Sequence, residues 1–307
     1  MRAGILSRFT RQGPQVGLEL LADGAVALSA QERNGVQTAD HLELFSGRAL
    51  DLTHWSRANQ LKGAGCRAVL GFEQYQLLLV EPPDVPAAEM KNALRWRLKD
   101  LLNMPLDEAV IDIFELPDDG TRSNKKMLYV AAAEKSRILE LADSLRRADL
   151  RLLSVDINEL ALRNLAHKIL CDNESERGLA LVRLRQGGGS VCLYKGGNLY
   201  FARNIALDYG AGLFDDLPED TLALELQRSM DYYERQMGQA SPAVVYICGD
   251  NVLEDKLSPG LRANVAAQVQ YLDPAAVAVM PDTVTSELRQ SALAALGAVL
   301  RRTGSVH

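Results

Sequence analysis

The sequence predicts an α/β fold of two similar lobes facing each other across a cleft. A pattern that occurs twice carries the prediction. Near the start, three β-like runs, 16–20, 25–31 and 36–44, are joined by the tight turns Asp23-Gly24 and Asn34-Gly35. The pattern recurs with runs at 179–184, 190–194 and 199–206, joined by Gly187-Gly188-Gly189 and Gly196-Gly197-Asn198. Asp-Gly and Asn-Gly supply the positive φ angles that hairpin turns require. After intervening elements, each meander is followed by an amphipathic helix and a buried strand. The polar, turn-rich stretch 171–178 marks the boundary, giving a first lobe at 1–177 and a second at 178–307.

The remaining elements follow in order. A helix is expected around 50–61, with strands at 66–72 and 75–80 that end at Pro82-Pro83 because proline cannot donate to a ladder. Pro86 opens a helix over 87–102 whose buried stripe is Met90, Leu94, Leu98 and Leu101. Strands at 110–116 and 127–133 flank the polar loop 118–126, so 82–133 reads as a small α+β subdomain inserted in the first lobe. A helix over 134–148, a strand at 151–156 and a helix from Asn158, read as its cap, to about 170 complete that lobe. The second lobe continues with a loop at 213–220, a helix over 221–237, strands at 243–248 and 265–272, and a last helix over 286–302 with a small-residue face.

Composition narrows the function. A net charge of −6 argues against a nucleic-acid-binding protein. Cys66, Cys171, Cys192 and Cys248 form no CxxC pair and read as free thiols in a reducing compartment, mostly buried. The four histidines make no metal-binding pair, so no metal is expected. No run of 18 apolar residues is present. The first 15 residues, with Arg2, Arg8 and Arg11 around Ile5, Leu6 and Phe9, read as a frayed terminus or a weak membrane-surface segment. No catalytic triad, Walker loop or GxGxxG occurs, and Asp215, Asp216, Glu219 and Asp220 read as a solvated loop.

Three stretches carry a family resemblance: 226–233 (LQRSMDYY), 245–249 (VYICG) and 295–301 (ALGAVLR). Together with Ala93-Leu94-Arg95-Trp96-Arg97 and Pro105, and in this order, they resemble the PilM family of type IV pilus assembly proteins, and best its MSHA-pilus branch, MshI. The resemblance implies a two-lobed actin-like (FtsA/PilM-like) fold with a small inserted subdomain. It also implies ATP between the lobes, and capture of the cytoplasmic N-terminal peptide of a bitopic inner-membrane partner. A type II secretion protein of related fold is an alternative; that protein continues into a transmembrane helix, and this sequence ends at His307.

The family's nucleotide site is altered in this sequence. It needs carboxylates at the end of each lobe's first strand to organise Mg²⁺, and glycines where phosphate and adenine approach. In place of the family's Asp and Gly, the first strand offers Glu19 and Leu21 and the second Arg183 and Arg185. The adenine turn keeps one glycine, Gly249. Two readings of the arginines stand side by side: metal-free contacts to phosphate, or side chains paired with acids in a dead site. The expectation is a non-catalytic scaffold with no cofactor, ATP binding being the alternative.

Partner contacts are placed, from the resemblance, at the junction of the first lobe with the inserted subdomain, on Met90, Leu94, Trp96, Arg97, Ile111 and Ile113. Trp96 reads either as core or as an interface anchor beside arginine. The basic helix carrying Lys91, Arg95, Arg97 and Lys99 reads as a solvated face or a contact for acidic lipid or peptide. The expected partners are a PilN-like bitopic protein and the pilus motor ATPase, at the cytoplasmic side of the inner membrane.

Overall fold

The computed structural model describes residues 13–47, 49–123, 125–173, 177–185, 188–207, 217–250, 252–257 and 259–301. The expectations for the N-terminal segment up to residue 12 and for Asp215 and Asp216 lie outside the described residues.

Two five-stranded sheets repeat one plan. In the first, β1 (Gln15–Leu21), β2 (Gly24–Arg33) and β3 (Val36–Ser46) form an antiparallel meander. β4 (Gly65–Val69) and β8 (Arg151–Asp156) extend it in parallel, giving the order β3-β2-β1-β4-β8. The second has β9 (Leu179–Arg185), β10 (Gly188–Lys195) and β11 (Asn198–Ala206) as meander, then β12 (Val244–Gly249) and β13 (Gln268–Tyr271). Its order is β11-β10-β9-β12-β13. The Asn34-Gly35 turn takes φ of 54° and 79°, as its sequence requires. Central strands such as β9 are buried along nearly their whole length.

α1 (Thr53–Ala58) and α3 (Lys135–Arg147) cover one face of the first sheet. They bury Trp55, Leu141 and Leu145 against Val16, Leu18, Cys66 and Ala68. α4 (Asn158–Asn173) leaves the first sheet and packs on β9, β10 and β11 of the second. At the other end of the chain, the predicted last helix is broken at Ala292 into α7 (Ser286–Ser291) and α8 (Leu293–Val299). α8 returns to pack on β1, β2 and β4. The strands of the two sheets divide on either side of α4, and each half of the chain lends a helix to the other's sheet. α4 and α8 cross where Gly297 lies against the Ala161 carbonyl, and every residue of α8 is buried. α5 (Glu219–Arg235) and α6 (Pro259–Asn264) complete the second half.

A third sheet, β5 (Tyr75–Val80), β7 (Leu128–Glu134) and β6 (Ala109–Glu115), is antiparallel in the order β5-β7-β6. β5 belongs to it, so the inserted subdomain starts earlier than residue 82. Strand alternation divides its side chains. Val80, Leu128 and Val130 meet Leu94 and Leu98 of α2 (Ala87–Leu98), while Tyr75, Tyr129 and Phe114 join the main core. α2 ends one turn before the predicted stop, and Leu101, predicted buried, is exposed.

The β6–β7 loop is not a free polar loop. Asp119 accepts hydrogen bonds from Tyr200 Oη at 2.7 Å and Lys195 Nζ at 3.1 Å, tying the third sheet to the second. The Tyr200 bond, with help from Lys195, holds the Asp119 carboxyl below its usual range.

Candidate functional site

The two meanders bring their first strands together at the centre of the molecule. Glu19 on β1 is 1% exposed and Arg183 on β9 is 0% exposed. Arg183 Nη2 donates to Glu19 Oε2 at 2.6 Å, and Arg185 Nη2 to Glu19 Oε1 at 2.5 Å. Arg185 Nη1 also reaches both oxygens of Asp250, each at 3.0 Å, and Ser291 Oγ donates to Asp250 Oδ1 at 2.8 Å. Arg183 Nη1 donates to Asn158 Oδ1, and Asn158 Nδ2 in turn to the Leu70 carbonyl at 2.7 Å. The Phe72 ring lies 5.9 Å from the Arg183 guanidinium carbon.

The buried Glu19, the partly exposed Asp250 and two arginines thus neutralise one another, and the bonds span both five-stranded sheets, α4 and α7. Burial opposes the charge on Arg185, but Glu19 and Asp250 more than offset it and raise its pKa. Beside the cluster, Tyr75 Oη donates to Glu159 Oε2 at 2.6 Å and Tyr194 Oη to the Glu159 carbonyl at 2.7 Å. Burial pushes the Glu159 carboxyl up, toward its neutral form. The thiols of Cys66 and Cys248 are likewise pushed up by burial, to about 12.

Among the nucleotide-site candidates, the structure brings together Glu19, Arg183, Arg185 and the turn after Gly249. Leu21 is half-buried against the core, with its carbonyl accepting from Gln74 Nε2. Gly249 answers to strand packing: at φ +121°, an added Cβ would lie 2.0 Å from the Leu184 carbonyl oxygen. Its N–H donates to Gln290 Oε1 at 3.0 Å. Asn158 is not a helix cap, since its side chain serves Arg183 and Leu70.

The partner-contact candidates do not form one surface. Leu94 is fully buried under α2 and is unavailable to a partner. Met90, Ile111 and Ile113 are half-buried in the same small core. Trp96 points the other way, 76% exposed, which settles its alternative readings against the core. Arg97 is exposed and donates to the Glu81 carbonyl at 3.0 Å.

No protein-family profile matches the sequence, and no curated protein matches it. Solved structures do match, along nearly the whole chain. The PilM–PilN type IV pilus biogenesis complex matches with a TM-score of 0.67 at 20% identity, covering 94% of this chain and 98% of that one. The cytoplasmic domain of EpsL, an inner-membrane component of the Vibrio cholerae type II secretion system, matches with a TM-score of 0.55 at 9% identity, over 94% and 96%. A Bacteroides thetaiotaomicron protein of unknown function, described as having an actin-like ATPase fold, matches with a TM-score of 0.51 at 12% identity, over 89% and 95%. The fold is actin-like.

An actin-like cleft implies Mg²⁺-nucleotide, and the residues here do not fit it. Both oxygens of Glu19 are taken by guanidinium groups, so neither is left for a cation's water shell. A fully buried arginine, Arg183, stands opposite Glu19 and adds positive charge where a cation would have to sit. Among the described residues, no group of three His, Cys, Asp or Glu is placed to hold a metal.

Sequence reasoning missed Asn158, Asp250, Ser291 and Phe72 as members of this cluster. One signal was available: two arginines on a strand with apolar neighbours demand two acids. Glu19 is one, and Asp250, beside Leu184 through the Gly249–Leu184 pairing, is the nearest other.

Proposed function

We propose that the chain is a nucleotide-independent actin-like scaffold of type IV pilus assembly, of the MSHA branch represented by MshI. It captures the cytoplasmic N-terminal segment of a PilN-like inner-membrane protein and links it to the pilus motor. The observation that carries the nucleotide-independent part is the Arg183–Glu19–Arg185–Asp250 cluster, which supplies internally the cross-lobe bonding that a bound Mg²⁺-nucleotide would provide. The likeness to the PilM–PilN complex and the sequence resemblance support the pilus setting. In this reading the partner supplies the membrane attachment; among the described residues, no helix is long and apolar enough to cross a membrane. The proposed contacts are those the fold leaves reachable: Trp96 and Arg97, with the exposed edges of Met90, Ile111 and Ile113.

Calorimetry tests both halves. Mg-ATP and Mg-ADP are expected to give no binding heat at high micromolar protein. A synthetic peptide from the cytoplasmic N-terminus of the partner is expected to bind. Tight Mg²⁺-dependent nucleotide binding would overturn the first half.

The contact assignment makes a second expectation. Trp96→Ala weakens peptide binding about ten- to thirtyfold, the range for an exposed aromatic anchor, and leaves the unfolding midpoint unchanged. Equal affinity in the variant moves the contact away from α2. Trp55 is buried, so Trp96 is the exposed one of the chain's two tryptophans and its fluorescence reports the contact directly.

A further inference from the structure

A second charged site lies on the first sheet, away from the central cluster. Cys66 and Ala68 of β4 face the core under α1 and α3, so Arg67 and Val69 point to the opposite face, where Val69 meets α4 and α8. Arg67 is only 7% exposed. Its guanidinium donates to one partner, the neutral Oε1 of Gln15, and among the described residues no carboxylate lies within ion-pair distance of it. The contrast with Arg183 is direct: that buried guanidinium has Glu19. Burying a charge without a counter-charge is costly.

Two neighbours share the face. Ser154 on β8 stands directly opposite Arg67 in the strand register, and its Oγ is buried with no hydrogen-bond partner. Arg301, just beyond α8, is 24% exposed and places Nη1 3.3 Å from Asp156 Oδ2, one step along the same face of β8. Burial, and next the positive charge of Arg301, depress the pKa of Arg67. Arg163 on α4 also feels Asp156 and Arg301. Asp156 in turn feels Arg301 and Arg163, and the carboxylate of Asp112.

We propose that Arg67, Ser154 and Arg301 form a binding site for a small oxyanion, a phosphate or a carboxylate. The ligand accepts N–H bonds from the two guanidinium groups and the O–H bond of Ser154, satisfying the orphaned hydroxyl and the uncompensated charge together. Its approach is past the partly exposed Arg301 side chain. The site is independent of nucleotide and of the peptide contacts proposed above.

Thermal unfolding of the full chain tests this. Phosphate and acetate are titrated separately against chloride at constant ionic strength. At tenfold excess over the dissociation constant, the midpoint is expected to rise saturably by about 2–3 °C. Whichever anion produces the rise names the class. Arg67→Met abolishes the response and, in chloride, is at least as stable as the parent, because it removes a buried charge that has no partner. Ser154→Ala keeps the fold and weakens the anion several-fold. No saturable rise with either anion overturns the site, as does an equal response in Arg67→Met. Should that variant fail to fold, unchanged anion affinity in Ser154→Ala overturns it.

Discussion

Replacing Glu19 with alanine is expected to destabilise the fold by about 3–5 kcal/mol, the cost of removing one partner of a buried ion pair. The cause is the charge left behind more than the bond removed. Arg185 retains Asp250, but Arg183 keeps no carboxylate, only the neutral Asn158 side chain, the long 3.4 Å contact to the Ser291 carbonyl and the Phe72 ring. Arg183 has no exposure through which to recover hydration. The companion experiment separates this from a net attractive pair. Glu19→Leu combined with Arg183→Met leaves Arg185 with Asp250 and replaces the buried charges by apolar volume, which is often neutral or stabilising. The double variant is therefore expected to recover most of the loss. Urea unfolding with an unchanged m-value reads both. If the double variant is as unstable as Glu19→Ala alone, the cluster owes its strength to direct attraction between the charges, and the proposed cause is wrong.

The duplicated meander was legible because hairpin glycines and alternating apolar runs are local signals. β5 and β8 match their predicted spans, and β9 differs by one residue. The charge reversal at Arg183 and Arg185 was legible too, but as a deletion of metal chemistry. That the arginines seek out Glu19 and Asp250, residues 164 and 65 positions away for the bonds they make, depends on sheet packing that no local pattern records. Trp96 fell to the same limit. Its helical spacing permitted either face of α2, and the side was decided by Leu94 and Leu98 meeting Val80, Leu128 and Val130. The exchange of α4 and α8 between sheets was hidden for a different reason. A helix that is buried all round, as α8 is, has no polar stripe to indicate which neighbour it serves.

The crossing of α4 and α8 makes the other large prediction. Gly297 sits inside a helix, where glycine costs up to about 1 kcal/mol relative to alanine. On propensity alone, Gly297→Ala would stabilise the protein. The crossing reverses the sign. A Cβ built on Gly297 lies 2.2 Å from the Ala161 carbonyl oxygen and 2.8 Å from its carbon. These are backbone atoms of α4, so no rotamer change relieves the contact. The two helices must separate, opening the small-residue layer of Val69, Ala161, Ala294 and Ala298 and stretching the 2.8 Å bond from Asn164 Nδ2 to the Gly297 carbonyl. Overpacking of this kind costs about 1–3 kcal/mol or more, which exceeds the propensity gain, so a net loss of about 2 kcal/mol is expected. A bulkier Gly297→Val should prevent stable folding. The measurement is the urea midpoint of Gly297→Ala. A rise would mean that α8 does not lie this close to α4, and with it would go the geometry that carries Ser291, at the end of α7 just ahead of α8, to Asp250 in the central cluster.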